Sequence, residues 1–270
     1  MTLVTRPGLG DVKELTELGA LAARYSPYAA YLAGGDPAAL DPVREGRAGV
    51  QDEGSQLVAV ALAAAPLEGR DERWLDMCAG PGGKAALLAG LALERGASLL
   101  ANEIAPHRAE LVRRALRGYG ERALEGEGTG SLQVIAADGI RAPWQPGSFD
   151  RVMLDAPCTG LGALRRRPES RWRRVPEDLE RLTRVQRRLL SSAIDSVRPG
   201  GLVAYVTCSP HLEETRDVVR QVVKARRDVE RVDARPLLPD VPDLGGGPDV
   251  QLWPHLHGTD AMYLALLRRS

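Results

Sequence analysis

Two cysteines stand where apolar runs give way to loops: Cys158 in Asp155-Ala156-Pro157-Cys158, and Cys208 in Thr207-Cys208-Ser209. A thiolate is the nucleophile that can add to an electron-poor pyrimidine ring, and a second thiol beside it can manage the proton or the release step. That pairing points to methylation of cytosine at carbon 5. The third cysteine, Cys78, lies on an apolar run and reads as a small buried hydrophobe.

A second set of residues suits a nucleoside cofactor. Leu75-Asp76-Met77-Cys78-Ala79-Gly80-Pro81-Gly82-Gly83-Lys84 has the layout of a strand, a glycine-rich turn and a helix start, which lets backbone approach a ligand closely. It is not a phosphate-binding Walker loop, because Cys78 replaces the first glycine and Ala85 the metal-binding hydroxyl. Glu103 follows at the distance expected of a ribose-binding acid, and Asp138 ends the next apolar run, where a carboxylate can meet an adenine amino group. The missing phosphate hardware favours S-adenosylmethionine over a dinucleotide or ATP. Lysines occur only at 13, 84 and 224, which singles out Lys84 inside the glycine loop as a candidate functional residue.

Those residues need a scaffold that brings strand ends together. Apolar runs predict strands at Arg73 to Ala79, Ser98 to Ile104, Leu132 to Asp138, Phe149 to Ala156 and Gly201 to Cys208, with weaker ones at Val229 to Ala234 and Met262 to Arg268. Helical periodicity predicts helices at Glu53 to Ala65, Lys84 to Arg95, Pro106 to Gly118, Pro176 to Val197 and Glu213 to Arg226. The alternation is that of an α/β domain with a mainly parallel central sheet covered on both faces. Residues 1–50 read as a separate N-terminal segment, an RNA-contacting appendage with helices at Val12 to Ala23 and Pro27 to Leu32, joined through a linker at Gly46 to Gly49 to a catalytic domain over 51–270. Glu125 to Gly130 and Pro239 to Pro248 read as loops.

Composition narrows the partners. At 270 residues and 44% hydrophobic, the chain can bury one sizeable core. Its formal net charge is zero, so any nucleic-acid affinity must come from a local patch. Three cysteines without paired spacing suit a reducing cytoplasm, and the run Leu57 to Pro66 is too short to span a bilayer. His255 and His257 lack partners at zinc-like spacing, so no metal is expected. The run Arg165-Arg166-Arg167-Pro168-Glu169-Ser170-Arg171-Trp172-Arg173-Arg174 follows the Cys158 loop and reads as an RNA clamp, with guanidinium groups for phosphates and Trp172 for stacking. Arg184, Arg187 and Arg188 extend it if they share a helix face.

Three ordered motifs, Asp76 to Lys84, Asp155-Ala156-Pro157-Cys158-Thr159-Gly160 and Tyr205-Val206-Thr207-Cys208-Ser209-Pro210, together resemble the Nop/Sun family of RNA cytosine-5 methyltransferases. Gln51-Asp52-Glu53-Gly54-Ser55-Gln56 resembles the segment those enzymes carry before the core, and the likeness runs from about Ala48 to Arg268. The branch most similar is the bacterial Sun or RsmB type, which modifies 16S ribosomal RNA. The resemblance implies a class I, Rossmann-like fold, S-adenosylmethionine as cofactor and RNA as substrate, acted on by a monomer. It implies that Cys208 attacks carbon 6 of the cytosine, while Cys158 helps remove the carbon-5 proton and release the enzyme. Asp155 would polarise the base, Lys84 would share its pocket, and Cys78, Ala79, Gly80, Pro81, Gly82, Gly83, Glu103 and Asp138 would hold the cofactor. DNA cytosine methyltransferases instead use a Pro-Cys thiol like Cys158 as nucleophile; the added Thr207-Cys208-Ser209 favours the RNA-family order. Ala261 and Met262 replace the usual Gly and Phe, which implies an altered substrate pocket. The branch commonly carries an N-terminal NusB-like domain that does not fit before Met1: either the chain is a fragment, or it is a shorter relative without that domain in which residues 1–50 supply specificity. A tRNA substrate, or a catalytically idle RNA-binding scaffold, are the alternatives.

Overall fold

The computed structural model describes residues 1–120, 123 and 130–270, so residues 125–129 of the expected Glu125 to Gly130 loop lie outside the described residues. The first 50 residues build a four-stranded antiparallel sheet from β1 (Thr2–Thr5), β2 (Leu21–Ala22), β3 (Ala29–Tyr31) and β4 (Ala48–Val50), in the order β2-β3-β1-β4. One short helix, α1 (Val12–Glu17), is capped by Asp11, whose carboxylate accepts the Glu14 N–H. A one-turn helix, α2 (Asp41–Arg44), precedes β4. Leu3, Leu15, Ala20, Ala30 and Ala48 form the small core beneath this sheet.

Three expectations fail in this region. The helix from Val12 stops at Glu17, because Gly19 takes a positive φ of 92° and turns the chain into β2. Residues 27–32 are not helical: Ala29 to Tyr31 pair with β1, and that pairing overrides the helix preference of alanine. The linker is not free either, since Ala48 and Gly49 belong to β4 and pair with Thr5 and Val4.

The main sheet runs β10-β12-β9-β8-β5-β6-β7, built from β5 (Arg73–Asp76), β6 (Ser98–Asn102), β7 (Leu132–Ile135), β8 (Phe149–Asp155), β9 (Val197–Thr207), β10 (Val229–Val232) and β12 (Tyr263–Arg269). A two-residue β11 (Val250–Gln251) pairs with β12. The pairs joining β7, β6, β5, β8 and β9 are all parallel, whereas β12 runs antiparallel to β9 and β10. This is the expected α/β class I arrangement. Strands β8 and β9 are buried on both sides, which is why they read as continuous apolar runs.

One face is covered by α3 (Glu53–Ala64), α4 (Gly83–Leu93) and α5 (Pro106–Leu116), the other by α6 (Pro176–Ser196) and α7 (Arg216–Ala225). Helix α4 is buried nearly all round because Ala and Gly let the N-terminal sheet approach it; a side chain at Gly90 would stand 2.6 Å from the Pro7 carbonyl. Arg151, only 4% exposed, caps the end of α3 by donating to the Leu62 and Ala65 carbonyls while pairing with Asp71 at 2.7 Å. The helix expected over Glu213 to Arg226 is split: a tight turn at Leu212–Glu214 precedes α7. The remaining one-turn helix, α8 (Pro254–His257), ends at the buried His257, whose ring bonds the backbone of Trp253 and Pro242.

The chain leaves β5 toward β6 on one side and returns from β7 to β8 on the other. The loops after β5 and β8 therefore diverge and open a crevice at the strand ends. No helix among the described residues is long and apolar enough to cross a membrane.

Candidate active site

The crevice is a cavity of about 410 Å3. Met77, Cys78, Gly80, Glu103 and Asp138 line one part of it, and Asp155, Pro157, Cys158 and Cys208 line the other. The structure thus brings Cys78, Gly80, Glu103, Asp138, Asp155, Cys158 and Cys208 to one cavity, whereas Ala79, Pro81, Gly82 and Gly83 do not line it.

The glycine loop is shaped by close approach. Gly80 donates its N–H to Glu103 Oε2 at 3.1 Å, and a Cβ there would collide with that carboxylate. Gly82 has φ 112°, and a Cβ on it would stand 2.6 Å from Ala115. The other Glu103 oxygen accepts the Ala105 N–H at 3.1 Å, so the acid at the end of β6 is fixed from two sides while each oxygen keeps a lone pair for a ligand. Arg108 donates to the Gly80 carbonyl at 2.7 Å and stands 3.5 Å from Glu103. Asn102 ties the neighbouring loops by donating to the Met77 and Ala137 carbonyls. Asp138 accepts the Ile140 N–H through one oxygen at 2.9 Å.

Asp76 received no role from sequence, and it is the anomaly of the site. It is fully buried, and neither carboxylate oxygen makes a well-formed hydrogen bond, although the Cys78 backbone N–H lies near. Burial first, then the charge of Asp155, pushes its pKa up to about 8. An unpartnered buried acid behind a glycine cradle fits a cationic, nucleoside-bearing cofactor such as S-adenosylmethionine.

Lys84 reaches back from the start of α4 so that its Nζ lies 2.8 Å from Asp155 Oδ2. Burial alone would lower the Lys84 pKa, but the charge and hydrogen bond of Asp155 outweigh it and hold the ammonium protonated. Cys158 Sγ and Cys208 Sγ are 3.5 Å apart. The Cys158 thiol as donor lowers the pKa of Cys208, helped by the nearby Lys84 and opposed by burial and Asp155. Cys158 is pushed the other way, by the same sulfur contact and then by burial. The pair therefore divides into one thiolate-prone sulfur and one thiol-prone sulfur. Burial raises Cys78 in turn, which leaves it a neutral thiol on the cavity wall.

Buried Glu214 holds the two cysteine loops in register. It accepts the Thr159 N–H at 2.9 Å, the Thr159 hydroxyl at 2.5 Å and the Ser209 hydroxyl at 2.6 Å, while Gln186 donates to it at 3.0 Å. Gly162 seals the other side, because its N–H donates to the Cys208 carbonyl at 2.9 Å and a Cβ there would stand 2.8 Å from that group. Ala261 pins the same turn through its N–H to the Gly162 carbonyl at 2.9 Å. Ala261 and Met262 are buried and are not among the residues that line the cavity.

The basic run divides. Arg165 and Arg166 pair with the buried carboxylates of Asp52 and Asp260, which corrects their expected place in an RNA clamp: their charges already serve internal partners. Arg174 donates to the Thr159 and Cys158 carbonyls at 2.9 and 3.2 Å. Arg167 lines the cavity mouth, and Arg171, Trp172 and Arg173 remain exposed, with the Arg171 guanidinium 5.2 Å from the Trp172 ring centre. Sequence could not reveal Glu214, Asn102 or Arg108, since each acts through a contact remote along the chain, nor Asp76, whose burial without a partner is set by the fold. The only local hint was that Asp76 and Glu214 adjoin the glycine and Thr-Cys-Ser motifs.

Residues 61–268 match the family described as 16S rRNA methyltransferase RsmB/F. The chain is 54% identical over 269 residues to "Putative methyltransferase MT1451" of Mycobacterium tuberculosis, covering 99% of this chain and 56% of that protein. It is 34% identical over 237 residues to ribosomal RNA small subunit methyltransferase B of Shewanella oneidensis, covering 87% of this chain and 51% of that protein. The chain spans about half the length of these curated relatives. The crystal structure of PH0851 superposes with a TM-score of 0.84 at 25% identity, covering all of this chain and 59% of that one.

Proposed function

This chain belongs to the 16S rRNA methyltransferase RsmB/F family, and from that premise we propose that it methylates carbon 5 of a cytosine in small-subunit ribosomal RNA, using S-adenosylmethionine and a transient covalent bond to Cys208. The observation that carries this reading is the pair of sulfurs 3.5 Å apart beside the Lys84–Asp155 ion pair, in a cavity that Glu103 and Asp138 also line.

Carbon 5 of cytosine is a poor nucleophile until addition at carbon 6 makes the ring enamine-like. The Cys208 thiolate forms the bond to carbon 6. Asp155, with Lys84 2.8 Å behind it, would stabilise the base once its ring nitrogen is protonated as charge builds there. S-adenosylmethionine supplies an electrophilic methyl group. Cys158, once its own thiol proton has passed to solvent, accepts the carbon-5 proton, and the electrons of that C–H bond restore the ring as the Cys208 sulfur leaves as a thiolate. For the cofactor, Glu103 would meet the ribose hydroxyls, Asp138 the adenine amino group, and Gly80 to Gly83 the close backbone contacts, with Asp76 balancing positive charge.

Transfer of labelled methyl from S-adenosylmethionine tests the reading, with 16S ribosomal RNA and tRNA transcripts offered in parallel. Label in the 16S transcript, lost in Cys208→Ala, is the expected result. Label confined to tRNA moves the substrate, and no label in either leaves an RNA-binding scaffold.

A further inference from the structure

Helix α6 presents side chains to two cavities. Val185 and Leu189 line the catalytic cavity, while Arg184, Arg187 and Arg188 line a neighbouring groove of about 610 Å3. The groove's far wall is the loop carrying Trp144, and Ile140 borders both spaces, so the groove adjoins the catalytic cavity on the side of Asp138 and Gly139. Its helical lining, through Ser191, Ser192 and Asp195, follows the three- and four-residue spacing of one helix face.

Ordinary solvated arginines on a helix would explain the charge but not its surroundings. Among the described residues, Arg187 and Arg188 make no ion pair or side-chain hydrogen bond, and Arg184 pairs only with exposed Glu180. The acid on the wall, Asp195, is already engaged by Arg226 at 2.8 Å. Trp144 is fixed rather than loose: its Nε1 donates to Ser196 Oγ at 2.7 Å and its ring packs edge-on to Phe149. A concave wall thus joins uncompensated guanidinium groups to a rigid aromatic ring. That combination suits a single strand of phosphates with exposed bases. In a chain of zero net charge, polyanion affinity must come from local patches of this kind.

We propose that this groove holds the phosphate backbone of single-stranded RNA flanking the target cytosine, with Arg187 and Arg188 as phosphate contacts and Trp144 as a base-stacking wall. The inference rests on the RNA-methylation reading above and extends it to the path of the strand.

The test compares wild type, Arg187→Ala with Arg188→Ala, and Arg187→Lys with Arg188→Lys. Fluorescence anisotropy would use a labelled single-stranded RNA of about 15 nucleotides with a central cytosine, and a trinucleotide too short to leave the catalytic cavity. The alanine pair should weaken the long RNA about tenfold, with the slope of log K against log salt falling by about 0.7 for each lost phosphate contact. The lysine pair should restore most of both. Trinucleotide binding, S-adenosylmethionine affinity and the melting temperature should stay unchanged, and methylation of the long RNA should show a raised KM at a retained kcat. An unchanged salt slope, in a protein that binds and methylates RNA, overturns the groove assignment alone. Equal weakening of the trinucleotide overturns it too, because the effect would then act through the catalytic cavity. A wild type that neither binds nor methylates either RNA removes the underlying reading along with it.

Discussion

Cys158 Sγ lies 3.5 Å from Cys208 Sγ, and the two thiols share one hydrogen bond, in which Cys158 lowers the pKa of Cys208 and is itself raised. A lowered pKa means more thiolate at neutral pH, so the sulfur contact and the nearby Lys84 bias Cys208 toward the thiolate.

Cys158→Ala removes that donor, and alkylation of Cys208 should then require a higher pH than in wild type. Lys84→Met should shift the alkylation profile in the same direction, because it removes the nearby positive charge. Rates of iodoacetamide modification against pH, followed at Cys208 by mass spectrometry, decide the matter. A profile unmoved by Cys158→Ala would show that the sulfur contact does not set thiolate formation.

Glu214 accepts from the residues that immediately follow the two cysteines, so it fixes the separation of the sulfurs without touching either. Glu214→Gln keeps the volume but replaces one acceptor oxygen with a donor, which faces the Thr159 and Ser209 hydroxyls. The expected loss is about 1–3 kcal/mol of stability. Denaturant unfolding measures it, and kcat should fall with S-adenosylmethionine affinity retained. Equal activity in a folded Glu214→Gln protein would reduce Glu214 to a packing group.

Asp76 predicts a pH slope of defined sign. In the unfolded chain its carboxyl ionises near the ordinary value of about 4, whereas in the folded protein burial raises the pKa to about 8. Between those values the folded state binds the extra proton, so stability falls as pH rises, and the contribution levels off above about 8. Asp76→Asn should flatten this part of the profile and leave the ligand-free protein more stable than wild type at alkaline pH. It should also weaken S-adenosylmethionine, for which Asp76 would be the buried counter-charge. Urea midpoints across the pH range and calorimetry with S-adenosylmethionine are the two readouts; parallel stability profiles for both proteins would contradict the buried-charge account.

The sheet was legible above all in β8 and β9, because burial on both faces leaves apolar runs that survive in the sequence. The site was legible where function is written locally, in the glycine loop and in the turns after β8 and β9. The N-terminal sheet was not, since β3 is an alanine-rich segment whose pairing with β1 is set by tertiary contact. Glu214 and Asp76 were missed for a related reason. An acid in a loop and an acid in a strand look alike in sequence whether they end in solvent, against four donors or against none. The same limit applied to Arg165 and Arg166, whose partners Asp52 and Asp260 lie 113 and 94 residues away.

The order of the two thiols can be read from what accumulates when each is removed. If Cys208 bonds to carbon 6 and Cys158 serves elimination, then Cys158→Ala still forms the sulfur–carbon bond and still methylates, but the carbon-5 proton leaves slowly. The protein should remain attached to RNA. Cys208→Ala should yield neither methylated product nor adduct, and the double substitution should also yield no adduct, because the bond that would be trapped never forms. Denaturing gel electrophoresis of each variant with 16S transcript and S-adenosylmethionine separates these cases, since only a covalent complex survives the denaturant. At 3.5 Å the sulfurs are close enough for either to reach a base in the same cavity, so geometry alone permits both orders. The lowered pKa of Cys208 favours it as the attacking group. An adduct from Cys208→Ala, with none from Cys158→Ala, would exchange the two roles.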